Sequence, residues 1–390
     1  MKLVDVAEFY AEQGGGVRTY LDHKLAAGTR SGHEIVIVAP GKESREEPRQ
    51  GGRIVWVESP PVPGDNRYRL FVHERRVHEV LDREKPDVVE ASSVYGGGWF
   101  AGRWLGPAKK SLVFHQDPVA VFGHTTFDRW FRPATVDWAF GPIWSVLRRL
   151  SGLFDTTVVA SDWLEKRLRG QGMSAARSVP FGIDAGPFAE AQPNEELRRR
   201  LLWEAGVSPE GRLLVAVSRH HPEKRLPTLI EAMRRLGQAQ PIGLVIYGDG
   251  PSRRRVDRLS AQTVGVHVAG YTRDRSEMAR AIASADAFVH GSAAETYGLV
   301  VAEALCAGTP VVVPDSGGAA EIPSPAVSER YRAGDPEACA AAIRRLLSRD
   351  KTELDAALNA ARSQVRTLDD HFRELFDYYE NLGAPPVRPT

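Results

Sequence analysis

Cysteine is nearly absent from this chain: Cys306 and Cys339 are the only two in 390 residues. A disulfide framework is excluded, and the pair fits a reducing compartment. Neither sign of charge is in excess, since 51 Lys and Arg face 50 Asp and Glu. Composition therefore points away from nucleic acid and from strongly acidic partners. No run approaches the roughly 18 apolar residues of a membrane span. The opening Met-Lys-Leu-Val-Asp-Val is broken by Asp5 and Glu8 and reads as a first β-strand rather than a signal peptide. Also missing are a D-x-D carboxylate pair after a strand, a G-x-x-x-x-G-K-S/T phosphate loop and any Cys/His zinc spacing. The expectation is a cytoplasmic protein without a bound metal or cofactor, free or resting on the inner face of the membrane.

What is present is an alternation of short apolar runs with longer helical patterns. Candidate strands are Lys2–Val6, Glu34–Pro40, Arg53–Glu58, Asp87–Ala91, Ser111–His115 and Thr156–Ala160. A second series runs Arg212–Ser218, Gly243–Tyr247, Val266–Ala269, Ala287–His290 and Pro310–Pro314. Most are nearly continuous Val, Ile and Leu, as strands buried on both faces are. Alternation with helices implies parallel sheets. The fold class is α/β, with two Rossmann-like, doubly wound domains facing across a cleft. The first spans 1–190 and the second 191–366. Residues 367–390 form a last helix, rich in Phe372, Phe376, Tyr378 and Tyr379, and a tail.

Ligands of open α/β sheets bind outside the carboxyl ends of the strands, and the candidate motifs fall there. Glu295-Thr-Tyr-Gly-Leu-Val-Val-Ala-Glu303 places two carboxylates eight residues apart, with Gly298 where a helix should begin. Unpaired N–H groups at Gly298 and Leu299 suit a phosphate or a sugar hydroxyl. Glu295 can accept hydrogen bonds from sugar hydroxyls, and Glu303 can take the two hydroxyls of a ribose. A favourable first turn explains Glu295 equally well, but it does not explain Glu303 inside an apolar stretch. Ser218-Arg219-His-His-Pro-Glu-Lys224 follows another apolar strand. Arg219 can clamp two oxygens of a diphosphate and Lys224 adds a point charge, although a solvated basic turn has the same composition.

Weaker signals accompany these. Gly14-Gly15-Gly16 lies between the first strand and a helix and would let a phosphate approach the backbone. Thr19 stands where a dinucleotide fingerprint needs its last glycine, which argues against NAD. Gly248 and Gly250 close one strand, and Tyr271 and Thr272 end the next, where backbone groups can read a nucleobase. His115 ends an N-terminal strand and can bond a sugar hydroxyl or a neighbouring loop with equal plausibility. Gly317-Gly318-Ala-Ala-Glu321 suits one more helix N-terminus, with Glu321 as a cap. Trp130, Phe131, Trp138, Phe140 and Trp144, followed by Arg148 and Arg149, can dock on an anionic lipid surface. So can Arg67–Arg76. Such clusters more often build core.

Taken together these residues resemble the retaining glycosyltransferases of the GT-B fold, glycosyltransferase family four. The resemblance is strongest over Arg212–Glu321 and covers nearly the whole chain. It implies transfer of a hexose from a UDP- or GDP-sugar to a hydroxyl of a glycan, a lipid-linked or a small-molecule acceptor, with retention and without metal. It implies His115, Arg219, Lys224 and Glu295 as catalytic residues. Donor binding falls to Gly15, Gly16, Ser218, Arg219, Lys224, Gly248 and Gly250, together with Tyr271, Thr272, Glu295, Tyr297, Gly298, Leu299 and Glu303. The last helix is expected to cross back to the first domain. His220-His221 replaces the family's usual aliphatic pair, Phe181 stands where Asn is common, and Ile322-Pro-Ser-Pro lacks the usual continuation. An NDP-sugar epimerase or hydrolase, and a non-catalytic sugar-nucleotide sensor, are the alternatives.

Overall fold

The computed structural model describes residues 1–11, 16–63, 65–127, 130–236 and 241–382. Its strands are β1 Lys2–Val6, β2 Glu34–Gly41, β3 Arg45–Arg49, β4 Gly52–Glu58, β5 Pro61–Val62, β6 Asp65–Arg69, β7 Val88–Ala91, β8 Lys109–Phe114, β9 Thr156–Val159 and β10 Ala176–Ser178. They continue as β11 Arg212–Val217, β12 Ile242–Tyr247, β13 Val266–Gly270, β14 Ala287–Val289, β15 Val311–Pro314 and β16 Ser328–Tyr331. Helices fill most of the intervals, as the alternating pattern requires. Asn194 caps the helix Glu195–Glu204 through its side chain, and Asp274 caps Arg275–Ala283 in the same way.

The chain divides into two compact units. One comprises Met1–His115, Phe140–Pro180 and Leu368–Thr390, and the other Gln116–Ala139 and Phe181–Thr367. The first break falls at Pro180/Phe181 rather than at 190, the second at Thr367/Leu368, within a residue of 366, and Gln116–Ala139 packs with the second unit. The first unit holds an eight-stranded sheet in the order β10-β9-β8-β7-β1-β2-β4-β3. It is parallel except for β3 against β4. The second holds a six-stranded parallel sheet, β13-β12-β11-β14-β15-β16. In each sheet the order reverses at an interior pair, β1/β7 and β11/β14, which is the switch point where open sheets leave a crevice.

Of the strands the sequence misses, β5 and β6 pair in a two-stranded sheet of their own, and β3, β10 and β16 are outermost strands of the two large sheets. Lying at an edge, they need no two-sided apolar run. β3 reads Arg-Glu-Glu-Pro-Arg, charged and proline-bearing, a composition that blunts an exposed edge. The core of the second unit forms where Leu229, Ile230 and Met233 of the helix Leu226–Leu236 meet Leu244 and Ile246 of β12 and Ile343 of the helix Pro336–Leu347. In the first unit the helix Leu368–Glu380 buries Phe372, Leu375, Phe376 and Tyr379. Its Tyr379 hydroxyl donates to Glu90 at 2.7 Å.

The aromatic segment departs from the expectation of core. Trp144 and Val136 are buried, but Trp138 is 82 % exposed, Trp130 61 % and Phe131 51 %. No helix among the described residues is long and apolar enough to cross a membrane.

Candidate active site

The site lies in the second unit, at the carboxyl ends of β11 and β14. After β11 the chain passes Arg219 and turns through a short 3₁₀ segment, Pro222–Lys224. After β14 it runs through His290 and Gly291 to Glu295. A Cβ on Gly291 would stand 2.4 Å from the Lys224 carbonyl oxygen, so only glycine lets the two loops close together. They meet at one ion pair, Lys224 Nζ to Glu295 Oε1 at 2.7 Å, with both side chains about four-fifths buried. Glu223 adds a second carboxylate 3.5 Å from the same ammonium. Burial opposes the charged form of each partner, and the opposite charge prevails. Lys224 is held above the usual lysine range and Glu295 below the usual carboxylate range.

His290 is the residue sequence reasoning missed. The apolar pattern makes it the last residue of a strand, and a histidine at a strand end is the same signal that His115 carries. Its ring is buried, and its Nε2 stands 3.5 Å from Glu295 Oε1. Burial pushes its pKa down to about 4, so the imidazole is neutral at physiological pH. It therefore leaves the negative charge of Glu295 to Lys224.

Gly298 begins the next helix, as the pattern predicted. It has φ 111°, and Leu299–Cys306 follows it. A Cβ there would approach the Cβ of Ala319 to 2.7 Å. Gly318 N–H donates to the Glu295 carbonyl at 2.8 Å, tying the glycine pair after β15 to the same loop. That pair opens only a three-residue 3₁₀ turn, Gly318–Ala320, rather than the helix expected there. Leu299 is 45 % exposed at the helix start, while Tyr297 is buried against Phe181, their ring centroids 6.2 Å apart.

Glu303 lies inside the helix and is buried. Arg275 reaches it at 3.1 Å, a partner no motif named. Burial outweighs this cation and raises the Glu303 pKa to about 7. Gly248, Gly250 and Gly270 all have positive φ. A Cβ on Gly248 would lie 1.9 Å from the Ser218 carbonyl, and Gly248 N–H donates to Gly270 O at 2.7 Å. These glycines bring the ends of β11, β12 and β13 together. Tyr271 beyond them is 70 % exposed, and the Thr272 hydroxyl faces Glu277. His220 fills the space beneath the glycine loop and is fully buried.

Arg219 is exposed and has no ion-pair partner among the described residues. It stands five residues before the paired Lys224. Of the remaining predicted residues, Ser218 has a buried hydroxyl. Gly16 opens a helix, Gly16–Arg30, in the first unit. Gly14 and Gly15 lie outside the described residues. His115 also belongs to the first unit, where the Tyr20 ring stands 5.2 Å away, edge-on. Burial, aided by Lys24, lowers its pKa to about 4.

At the ends of β11 and β14 the second unit thus offers a guanidinium with no ion-pair partner among the described residues, a paired ammonium, a neutral imidazole and a helix N-terminus. A second carboxylate lies further along the helix. Residues 198–363 match the family described as Glycosyl transferases group 1, and residues 14–186 match Glycosyltransferase Family 4. A GDP-mannose-dependent alpha-mannosyltransferase of Mycobacterium tuberculosis is 33 % identical over 333 residues, 83 % of this chain and 82 % of that protein. A GDP-mannose-dependent alpha-(1-6)-phosphatidylinositol dimannoside mannosyltransferase of the same organism is 30 % identical, over 90 % of this chain and 88 % of its own length. Among solved structures, the sucrose-phosphate synthase of Thermosynechococcus elongatus superposes with a TM-score of 0.75 at 18 % identity. It covers 98 % of this chain and all of that one.

Proposed function

From the premise that this chain belongs to the group 1 glycosyltransferases of family 4, and is an NDP-sugar-dependent enzyme with the GT-B fold, we propose that it transfers mannose from GDP-mannose, with retention and without a metal. The acceptor hydroxyl is proposed to sit on a lipid-borne glycan. The observation that carries this reading is the Lys224–Glu295 pair at the β11/β14 switch point, on the loop where Arg219, five residues earlier, has no ion-pair partner among the described residues.

In this reading the donor diphosphate meets Arg219 and Lys224, which neutralise the charge that grows on the leaving group as the glycosidic bond breaks. The Gly298 and Leu299 N–H groups bind the transferred sugar and its phosphate. Glu295, released in part from Lys224 as phosphate arrives, accepts hydrogen bonds from the sugar hydroxyls. Glu303 holds the ribose, with Arg275 favouring its ionised form against the burial that raises its pKa. Gly248, Gly250, Tyr271 and Thr272 frame the nucleobase. His115 is proposed to act on the transferred sugar. The acceptor oxygen would bond to the anomeric carbon on the face from which the leaving phosphate departs, and the phosphate oxygen released by the broken glycosidic bond would take the acceptor's proton, a front-face route that gives retention.

The names of the relatives favour GDP-mannose over UDP-glucose as the first donor to test. The exposed Trp138 and Phe131 favour a lipid surface as the place where the acceptor is met. The deciding assay offers GDP-mannose and UDP-glucose with a mannosylated phosphoinositide, in the presence of EDTA. NMR then reads the anomeric configuration of the product. An α-mannoside formed from GDP-mannose in EDTA supports the reading. Release of free mannose without acceptor would move it to a hydrolase, and GDP-mannose binding without turnover would reduce the chain to a sensor.

A further inference from the structure

His290 follows β14 at the switch point with β11, and its side chain is 3 % exposed. Its backbone is fixed from both sides. The His290 N–H donates to Val312 O at 2.9 Å, and the Tyr331 hydroxyl donates to the His290 carbonyl at 2.7 Å. The ring is thus anchored beside Glu295. Its Nε2 is buried and has no hydrogen-bond partner among the described residues. It stands 3.5 Å from Glu295 Oε1, the oxygen that Lys224 holds at 2.7 Å. Among the described residues no group besides Lys224 makes a hydrogen bond to the Glu295 carboxylate. An unpaired buried nitrogen is costly, and such atoms are rare in folded proteins. A side chain that only filled this space would do so at lower cost as leucine.

We propose that His290 is a positioning residue for Glu295, donating a hydrogen bond from Nε2 to Glu295 Oε1 when the donor diphosphate draws Lys224 away. This role rests on the reading of Lys224 and Glu295 as donor ligands. Without a donor the ammonium wins the carboxylate, because its bond carries full opposite charges. With a donor, the diphosphate competes for the same ammonium, which already has Glu223 at 3.5 Å as a second partner. Glu295 would then meet the sugar hydroxyls with nothing to fix its orientation. A shift of about half an ångström brings Nε2 and Oε1 to ordinary hydrogen-bond length. The ring suits the task because it is neutral. Burial, aided by Lys224, disfavours its charged form. It carries one proton, placed on Nε2 for this bond, and adds no cation to compete with the sugar for Glu295. Glu295 Oε2, which takes no bond from the described residues, is left to the hydroxyls.

The test compares His290→Leu, which keeps the bulk and loses the nitrogen, with His290→Gln, whose amide N–H reaches the place of Nε2. With GDP-mannose, His290→Leu should lose about tenfold or more in kcat/KM, with a Tm no lower than wild type. His290→Gln should return to within about threefold of wild type. In a Glu295→Gln background the leucine substitution should cost less than about twofold, since the charge it serves is already gone. Nitrogen NMR of labelled histidine gives a readout that needs no turnover. The His290 resonance is identified by its absence from either variant, and its Nε2–H should move downfield on saturation with GDP or UDP. Three results would overturn this role and leave the donor reading intact: wild-type activity in His290→Leu, a leucine loss undiminished in Glu295→Gln, or a His290 resonance unmoved in the nucleotide complex. A wild type that binds neither nucleotide sinks the donor reading, and the role of His290 with it.

Discussion

Arg219 and Lys224 carry charges of the same sign from one loop, yet the fold treats them differently. Arg219 is exposed and has no ion-pair partner among the described residues, so Arg219→Ala should leave Tm unchanged while lowering kcat/KM about a hundredfold or more. A turnover assay beside a thermal melt separates the two effects. Lys224→Ala strands Glu295 in a largely buried loop and should cost stability as well, about 1–3 kcal/mol. That variant alone cannot distinguish catalysis from folding. Glu303 gives a test by pH. Its pKa is raised to about 7 in the folded chain, so the folded state holds a proton that the unfolded state releases near the normal carboxylate value. Its contribution to stability is thus lost as pH rises from about 4.5 to 7. Glu303→Gln should melt a few degrees higher than wild type at pH 8 and equally at pH 4. Donor affinity should be poorer in the variant at pH 8, because there the amide replaces the carboxylate proposed to accept both ribose hydroxyls. These two readouts, taken together, exclude a merely structural glutamate.

At the scale of elements, the site depends on glycines that let loops touch. Gly298 starts its helix in a left-handed conformation and meets Ala319 of the neighbouring turn. Gly298→Ala should cost at least about 1 kcal/mol for the dihedral alone, plus displacement of the Ala319 turn. A denaturant titration and the KM for donor should both worsen. How far this was legible varies with position. The helix start at Gly298 could be read from the sequence, because a glycine before an apolar run has few other uses. The interior strands were legible because burial on both faces demands unbroken apolar runs. Edge strands such as Ser-Glu-Arg-Tyr in β16 were not, since one open flank removes that demand. The aromatic segment, open in the sequence between core and surface, divides between the two. Composition counts Trp138 and Trp144 alike, while the fold exposes the first and buries the second.

For the whole molecule, the first unit is completed by the far end of the chain. The helix Leu368–Glu380 contributes four buried apolar side chains to that unit, worth about 6–12 kcal/mol at the usual rate for such burial. That is comparable to the entire stability of a domain. A chain ended after Thr367 should therefore lose the cooperative melting of the first unit, seen in calorimetry as a missing transition. The same unit encloses Lys24 between Asp5 and Glu90, all three fully buried. Glu90 also accepts from Tyr379 of that helix. Burial lifts Asp5 to about 7 despite Lys24, and the ammonium holds Glu90 below its usual range although burial opposes it. Lys24→Met should destabilise the protein by about 3–5 kcal/mol, because two buried carboxylates lose their one cation.

The sequence by itself determined the fold class, two parallel-sheet units, and the strand ends where Arg219, Lys224, Glu295 and Glu303 emerge. Period and polarity are local properties, and local properties survive in a linear string. Only the tertiary structure decided that Lys224 is bonded to Glu295, that His290 stands beside them, and that Arg275 reaches Glu303. Those pairings join residues from different strand ends, and their spacing depends on sheet order and loop closure. Neither is written in any single stretch of residues.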